Sequence, residues 1–156
     1  MSRPQPGAII TILLLGGLLA AAVLRTTGIR RAPLPARPQD AIYRMLDAAR
    51  AGDISAYLRQ YGGQMEAYLR QVIAEKTEAG FRSYLQAFNA EIKGVAVSEP
   101  RILSKREVEV RVEYIYPDRN EAQRMSLEKY GDEWKITRVD GAERVKTLVP
   151  YGSPVE

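Results

Sequence analysis

The stretch EVEVRVEYIY at residues 107–116 decides the fold, because charged and apolar side chains alternate along it. Successive side chains of a β-strand point to opposite faces of the sheet, so this strand has one apolar face and one charged face. The apolar face is formed by Val108, Val110, Val112, Tyr114 and Tyr116. Such a strand is typical of an antiparallel sheet that packs on helices with one face and contacts water with the other.

Turn residues divide the neighbouring chain into further strands. Residues 121–130 and 134–139 are two predicted strands joined by the turn Gly131-Asp132. An earlier strand is predicted over residues 95–103, where Pro100 restricts it to a sheet edge or a bulge because proline has no amide hydrogen to donate. With the first strand, these segments predict a curved four-stranded antiparallel sheet.

The pattern before Gly94 is helical. Apolar residues recur there at a spacing of three and four, which predicts four amphipathic helices. Their apolar stretches are residues 42–49, 54–61, 65–73 and 81–92. Gly52 is a natural end for the first helix, and Asp53 is a natural cap for the second. Helices followed by an antiparallel sheet predict an α+β domain.

The composition excludes several chemistries. The chain has no cysteine and no histidine, which removes disulfide scaffolds, thiolate zinc sites, cysteine nucleophiles and hydrolases of the Ser-His-Asp type. It also shows no glycine-rich phosphate loop and no metal-ligand spacing. We therefore expect no cofactor and no metal, and a catalyst here would depend on Asp, Glu, Lys, Arg or Tyr.

The basic charge belongs to the N-terminal region. The net charge is +4, but five of the 23 basic residues and no acidic residue lie in the first 38 positions, which leaves 18 basic and 19 acidic residues for the remainder. A nucleic-acid-binding domain needs a basic face. The remainder lacks that excess, so we expect no nucleic-acid partner.

A hydrophobic segment at residues 8–24 follows a tail at residues 1–7. Its 17 uncharged residues reach about 26 Å as a helix, enough to cross a thin bilayer core. We expect a retained single-pass membrane anchor, because Arg25, Arg30 and Arg31 follow it and hinder export of the chain behind them. The alternatives are a cleaved signal peptide and a buried core helix.

Two flanking segments complete the organisation. Residues 25–38 are rich in arginine and proline, which favours a semi-rigid linker. Residues 39–145 form the folded domain, and residues 146–156 form a tail that either docks or stays disordered. The arginines after the hydrophobic segment favour a cytoplasmic domain by the positive-inside rule.

Two stretches resemble the NTF2-like superfamily. The run DAIYRMLDAARAGDISAYLRQY at residues 40–61 is similar to its opening helix pair, and YGDEWKITRVDG at residues 130–141 is similar to its closing hairpin. All four helices precede the strands, as in membrane-anchored members such as the scaffold subunits of bacterial type IV secretion systems, which favours an extracytoplasmic domain. A different α+β sandwich of the cystatin-like kind is the alternative fold.

The resemblance implies a cone whose interior can hold an apolar pocket. The candidate pocket residues are Tyr57, Tyr68, Tyr84, Tyr114, Tyr116 and Trp134. The alternative is that these aromatic side chains are ordinary core residues. The acidic residues of the 107–116 strand fall on its outer face, and no carboxylate falls clearly inside, so the acid–base residues of the enzymatic members are missing.

These observations lead to two expectations of function. The first is a membrane-tethered, non-catalytic NTF2-like module that binds a protein partner or itself. The alternative is a protein that binds a small apolar ligand, or an enzyme similar to ketosteroid isomerase that uses tyrosine and a buried carboxylate.

Overall fold

Four helices precede the sheet in the computed structural model, which describes residues 36–145. They are α1 (Pro38–Ala51), α2 (Ile54–Leu58), α3 (Gly63–Lys76) and α4 (Glu78–Ala90). This order confirms the predicted four helical stretches. The hydrophobic segment at residues 8–24 and the tail at residues 146–156 lie outside the described residues, and between residues 36 and 145 no helix is long and apolar enough to cross a membrane.

Local residues set the helix boundaries. Helix α1 begins at Pro38, the last residue assigned to the linker, because proline at the first helical position loses no intrahelical hydrogen bond. It ends at Gly52, whose φ of 70° is left-handed and suits glycine. The side chain of Asp53 then caps α2, since its Oδ1 accepts a hydrogen bond of 2.8 Å from the backbone N–H of Ala56. Both predicted boundary residues are confirmed.

Six antiparallel strands follow and complete an α+β fold, as predicted. They are β1 (Gly94–Val97), β2 (Arg101–Ile102), β3 (Glu107–Ile115), β4 (Asn120–Tyr130), β5 (Glu133–Val139) and β6 (Glu143–Val145). The main order is β1-β3-β4-β5, with β2 paired to β3 and β6 paired to β4. The six strands therefore occupy four strand positions, because β1 and β2 share one edge and β5 and β6 share the other.

The prediction of one continuous strand over residues 95–103 is wrong. It is divided into β1 and β2, with Pro100 between them outside any strand. Proline has no N–H to donate to a cross-strand hydrogen bond. The pairing with β3 therefore ends at Val97 and resumes at Arg101.

The core lies between the helices and the inner face of the sheet. The predicted alternation of β3 is confirmed, because the five apolar side chains from Val108 to Tyr116 are all buried. The largest side chains with almost no exposure are Ile42, Met125, Leu127, Ile136, Val110 and Val112. They belong to one hydrophobic cluster to which α1, β3, β4 and β5 all contribute. These side chains thus fill the space between α1 and the inner face of the sheet.

Candidate functional site

Four of the six predicted aromatic residues converge at one end of the domain, near the end of β3. The ring of Tyr57 on α2 lies 6.0 Å from that of Phe81, which in turn lies 6.2 Å from Tyr84 on α4. Tyr57 packs against the hydrophobic cluster that includes Tyr114 and Tyr116. Both are buried.

Tyr61 completes this group, although it was not among the predicted pocket residues. Its hydroxyl donates a hydrogen bond of 2.8 Å to the hydroxyl of Tyr57, and their ring centroids are 5.0 Å apart. The signal was present, because positions 57 and 61 are four apart on the predicted helical stretch 54–61. In the structure α2 ends at Leu58, and Tyr61 instead pairs with Ile136 of β5. We refer to Tyr57, Tyr61, Tyr114 and Tyr116 as the tyrosine cluster.

The other two predicted residues lie elsewhere. Tyr68 is 59% exposed, so its assignment to an apolar stripe is wrong, because α3 buries Leu69 and Ile73 and Tyr68 precedes that row. Trp134 is half-buried, and its indole N–H donates a hydrogen bond of 3.1 Å to the carbonyl of Ala36. Trp134 therefore holds the chain that leads into α1 against β5. It does not belong to the tyrosine cluster.

Burial keeps the phenols of the tyrosine cluster neutral. Desolvation is the main cause that raises the pKa of Tyr57, Tyr114 and Tyr116 above the usual value. The pKa of Tyr61 is also raised well above its usual value, by desolvation and by its neighbour Tyr57. A phenol with a raised pKa does not act as a general base near neutral pH.

One carboxylate lies on the inner face, and this corrects the expectation that none does. Glu121 pairs across the ladder with Tyr114 and so shares its face. Its Oε1 accepts a hydrogen bond of 2.6 Å from Nε of Arg119, and the Arg119 guanidinium lies 4.3 Å from the ring centroid of Tyr116. The carboxylate is thus committed to an ion pair at the edge of the cluster.

The tyrosine cluster predicts that the domain loses stability in alkali. When the pKa of a phenol is higher in the folded than in the unfolded chain, the folded state is favoured at any pH below the unfolded-state pKa of about 10. Above that pH the unfolded chain loses its proton first, so this contribution to stability is lost as the pH rises. Urea unfolding at about pH 8 and pH 11 is expected to show a loss of up to about 1.4 kcal/mol per tyrosine. Tyr61→Phe removes one such group, so the variant should lose less; an equal loss would contradict this origin.

A pair of exposed aromatic rings lies on α4 beside the cluster. Tyr84 is 54% exposed and Phe88 is 45% exposed, and their rings stack with centroids 6.3 Å apart. The prediction that Tyr84 and Phe88 both lie on the apolar stripe of residues 81–92 is wrong, because the buried row of α4 is Phe81, Leu85 and Asn89. We call Tyr84 and Phe88 the aromatic face. The Tyr84 ring packs against the buried Phe81, so the two exposed rings form a small apolar patch on the surface of the domain.

No protein-family model matches the chain, and no curated protein matches it. Two similar solved structures are NTF-2 like proteins of unknown function. One is from Shewanella oneidensis, with 18% identity over 66% of this chain and 97% of that chain and a TM-score of 0.36. The other is from Burkholderia xenovorans, with 16% identity over 74% of this chain and 86% of that chain and a TM-score of 0.37.

A cystatin-like protein from Ruminococcus gnavus is also similar, with 14% identity over 76% of this chain and 43% of that chain and a TM-score of 0.47. The similar structures thus include both superfolds that the sequence suggested.

Proposed function

We propose that this protein is a non-catalytic NTF2-like binding module that engages a protein partner through the aromatic face. The main support for the proposal is the contrast between a closely packed apolar interior and two aromatic rings that are exposed on the surface. Val110, Val112 and Leu127 fill the space between sheet and helices without measurable exposure, whereas Tyr84 and Phe88 present stacked rings to solvent.

The chemistry of the aromatic face suits a protein partner. Aromatic residues and arginine are the side chains most enriched at the energetic centres of protein interfaces. The Tyr84 ring packs against buried Phe81 on one side and stacks with Phe88 on the other, so little conformational freedom is lost when a partner covers the pair. Lys76 lies 6.0 Å from the Tyr84 ring centroid and adds a cation at the rim.

Enzyme activity or binding of a small apolar ligand is the second candidate. The presence of Glu121 and Tyr114 on the same inner face favours it, since a carboxylate beside phenols is the arrangement that ketosteroid isomerase-like chemistry uses. The ion pair with Arg119 opposes it, because the guanidinium already occupies the Oε1 that would have to contact a substrate.

Site-specific photo-cross-linking tests the proposal in the organism that encodes the protein. Benzoylphenylalanine at position 88 is expected to form a discrete adduct with a partner protein. The matched control is the same amino acid at Tyr43 on α1, because Tyr43 and Phe88 are both 45% exposed. An adduct from position 43 but not from position 88 would oppose the proposed surface.

We further propose that residues 8–24 tether the domain to a membrane. The support is the uncharged run of 17 residues followed by Arg25, Arg30 and Arg31. The intact mass of the protein extracted from its native membrane should include this segment. A mature chain that begins near Val23 would instead identify a cleaved signal peptide.

A further inference from the structure

The connection between β2 and β3 presents apolar side chains that the core of the domain does not use. Ile102 is 78% exposed and Leu103 is 41% exposed. Lys105 and Arg106 follow them and are also exposed. Ile102 lies directly opposite the buried Val108 on β3, so it is on the inner side of the sheet, at a corner that the helices leave open. We call residues 102–106 the exposed turn.

Hydrogen bonds hold the backbone of the exposed turn. The N–H groups of Leu103 and Ser104 both donate to the carbonyl of Glu107, each at 3.0 Å. The N–H of Arg106 donates to Oγ of Ser104 at 3.2 Å. Nη2 of Arg106 also donates to the carbonyl of Lys129 on β4 at 3.3 Å. Because the backbone is already ordered, little conformational entropy is lost when a partner covers the turn.

The chain enters the domain at the same end of the sheet. The carbonyl of Ala36 accepts the 3.1 Å hydrogen bond from Trp134, which lies near the start of β5, opposite Lys129 near the end of β4. Gln39, in the first turn of α1, donates a hydrogen bond of 3.4 Å to Glu99, two residues before β2. Since β3 begins where β4 ends, the start of α1 lies at the end of the sheet that carries the exposed turn.

We propose that the exposed turn contacts the surface of the lipid bilayer to which residues 8–24 tether the chain. The inference rests on that proposed tether. A chain with the length of residues 25–35 reaches at most about 40 Å, so Ala36 and the end of the sheet around it stay near the membrane. The tether therefore presents the bilayer to this end of the domain at a high effective concentration.

The side chains of the exposed turn suit the bilayer interface. Ile102 and Leu103 enter the boundary between headgroups and acyl chains, where amphipathic surfaces bind. Lys105 and Arg106 stand beside them to bind lipid phosphates, since neither forms an ion pair within residues 36–145. Lysine is depleted at protein interfaces, and leucine is rare among their energetic centres. The composition thus favours lipid over a protein partner.

The other charged groups at this end make the contact weak. Two of the cations are already paired, Arg101 with Glu109 at 2.9 Å and Lys135 with Glu133 at 3.2 Å. The charges near the turn that form no ion pair within the described residues are one lysine and four acids: Lys129, Glu99, Glu107, Glu128 and Asp132. The attraction to lipid phosphate is therefore confined to the turn itself. Binding needs the apolar pair, the basic pair and the tether together.

The full chain reconstituted in vesicles tests the inference. Because the chain has no cysteine, Ser104→Cys in the exposed turn and Asp118→Cys in the β3–β4 turn each carry a single dye. Asp118 is exposed and lies beyond the far end of β3, about 30 Å away. The vesicles contain phosphatidylcholine, phosphatidylglycerol and a lipid with a nitroxide quencher near its headgroup. The dye at position 104 should be quenched, and the dye at position 118 should not.

Paired substitutions identify the side chains responsible, with the dye at position 104 in every variant. Ile102→Ser with Leu103→Ser removes the apolar pair, and Lys105→Glu with Arg106→Glu reverses the basic pair. Each should reduce the quenching to the level found at position 118. All four residues are exposed, so the free energy of unfolding should change little.

Matched controls lie at the opposite end of the sheet. Ile115→Ser removes an isoleucine that is 38% exposed at the far end of β3. Lys93→Glu with Arg144→Glu makes the same charge change at two exposed positions beside that end. Tyr84→Ser with Phe88→Ser alters only the aromatic face on α4. All three should keep the quenching at position 104.

Flotation of the vesicles separates this inference from the proposed tether. If the wild type floats with the vesicles but the dye at position 104 is not quenched, the tether stands and the lipid contact is refuted. The contact is also refuted if either paired variant keeps the wild-type quenching, or if the dye responds to protein concentration instead of to the nitroxide lipid. A wild type that does not float refutes the tether and this inference with it, and leaves the aromatic face untouched.

Discussion

Replacing Val110 with aspartate is expected to abolish the cooperative unfolding transition of the domain. Val110 has no exposed surface and lies on β3, between β1 and β4 in the sheet. Burial of an unpaired carboxylate costs several kcal/mol, which is comparable to the total stability of about 5–15 kcal/mol of an ordinary domain. Urea unfolding followed by the fluorescence of Trp134, the only tryptophan, should show no transition.

The neighbouring residue provides the control for this prediction. Arg111 follows Val110 on the same strand and points to the opposite face, so Arg111→Gln should change the free energy of unfolding by no more than about 0.5 kcal/mol. If Val110→Asp melted like the wild type and Arg111→Gln unfolded, the charged face would be the inner one. The enzymatic alternative would then regain support.

Truncation of Phe81 to alanine is expected to cost about 3–5 kcal/mol, the usual range for a buried phenylalanine. Phe81 is 2% exposed, and its ring supports both Tyr57 and Tyr84. Its loss leaves a cavity beneath the aromatic face and beside the tyrosine cluster. The urea midpoint should fall clearly, with little change in the slope of the transition.

Phe88→Ala on the same helix is the matched control, because it removes the same side chain from a half-exposed position. Its expected cost is below about 1 kcal/mol, since substitutions at exposed positions rarely cost more. Equal losses for the two variants would show that Phe88 is a core residue. The aromatic face would then not be free to bind a partner.

The helices and strands could be predicted from the sequence, because the spacing of apolar residues and a few boundary residues determine them locally. The alternation in residues 107–116 specified both the strand and its buried face. Gly52 and Asp53 marked the end of one helix and the start of the next, because a left-handed φ and a side-chain cap each require particular residues.

Exposure within the helices could not be predicted to the same accuracy. Tyr84 and Tyr68 each lie next to a buried row rather than in it. Neighbouring residues on a helix point about 100° apart. Which side of the buried row stays exposed depends on the neighbouring helix that packs against it. Both residues of the aromatic face therefore appeared in the sequence as core residues.

Cross-strand partners were also hidden from the sequence. The inward position of the Glu121 carboxylate depends on the register of β3 and β4, and a shift of one residue would turn every side chain to the other face. The division of the edge strand into β1 and β2 was signalled by Pro100, but the resumption of pairing at Arg101 depends on β3.

The affinity of the full chain for the partner captured from position 88 tests the central claim most directly. Isothermal titration of the wild type and of Tyr84→Ser with Phe88→Ser is expected to show a Kd at least about 100-fold weaker for the variant, because central aromatic residues contribute about 2 kcal/mol or more each. Tyr43→Ser, which changes an equally exposed ring on α1, should bind like the wild type. An unchanged Kd for the double variant, or an equal loss in Tyr43→Ser, would contradict binding through the aromatic face.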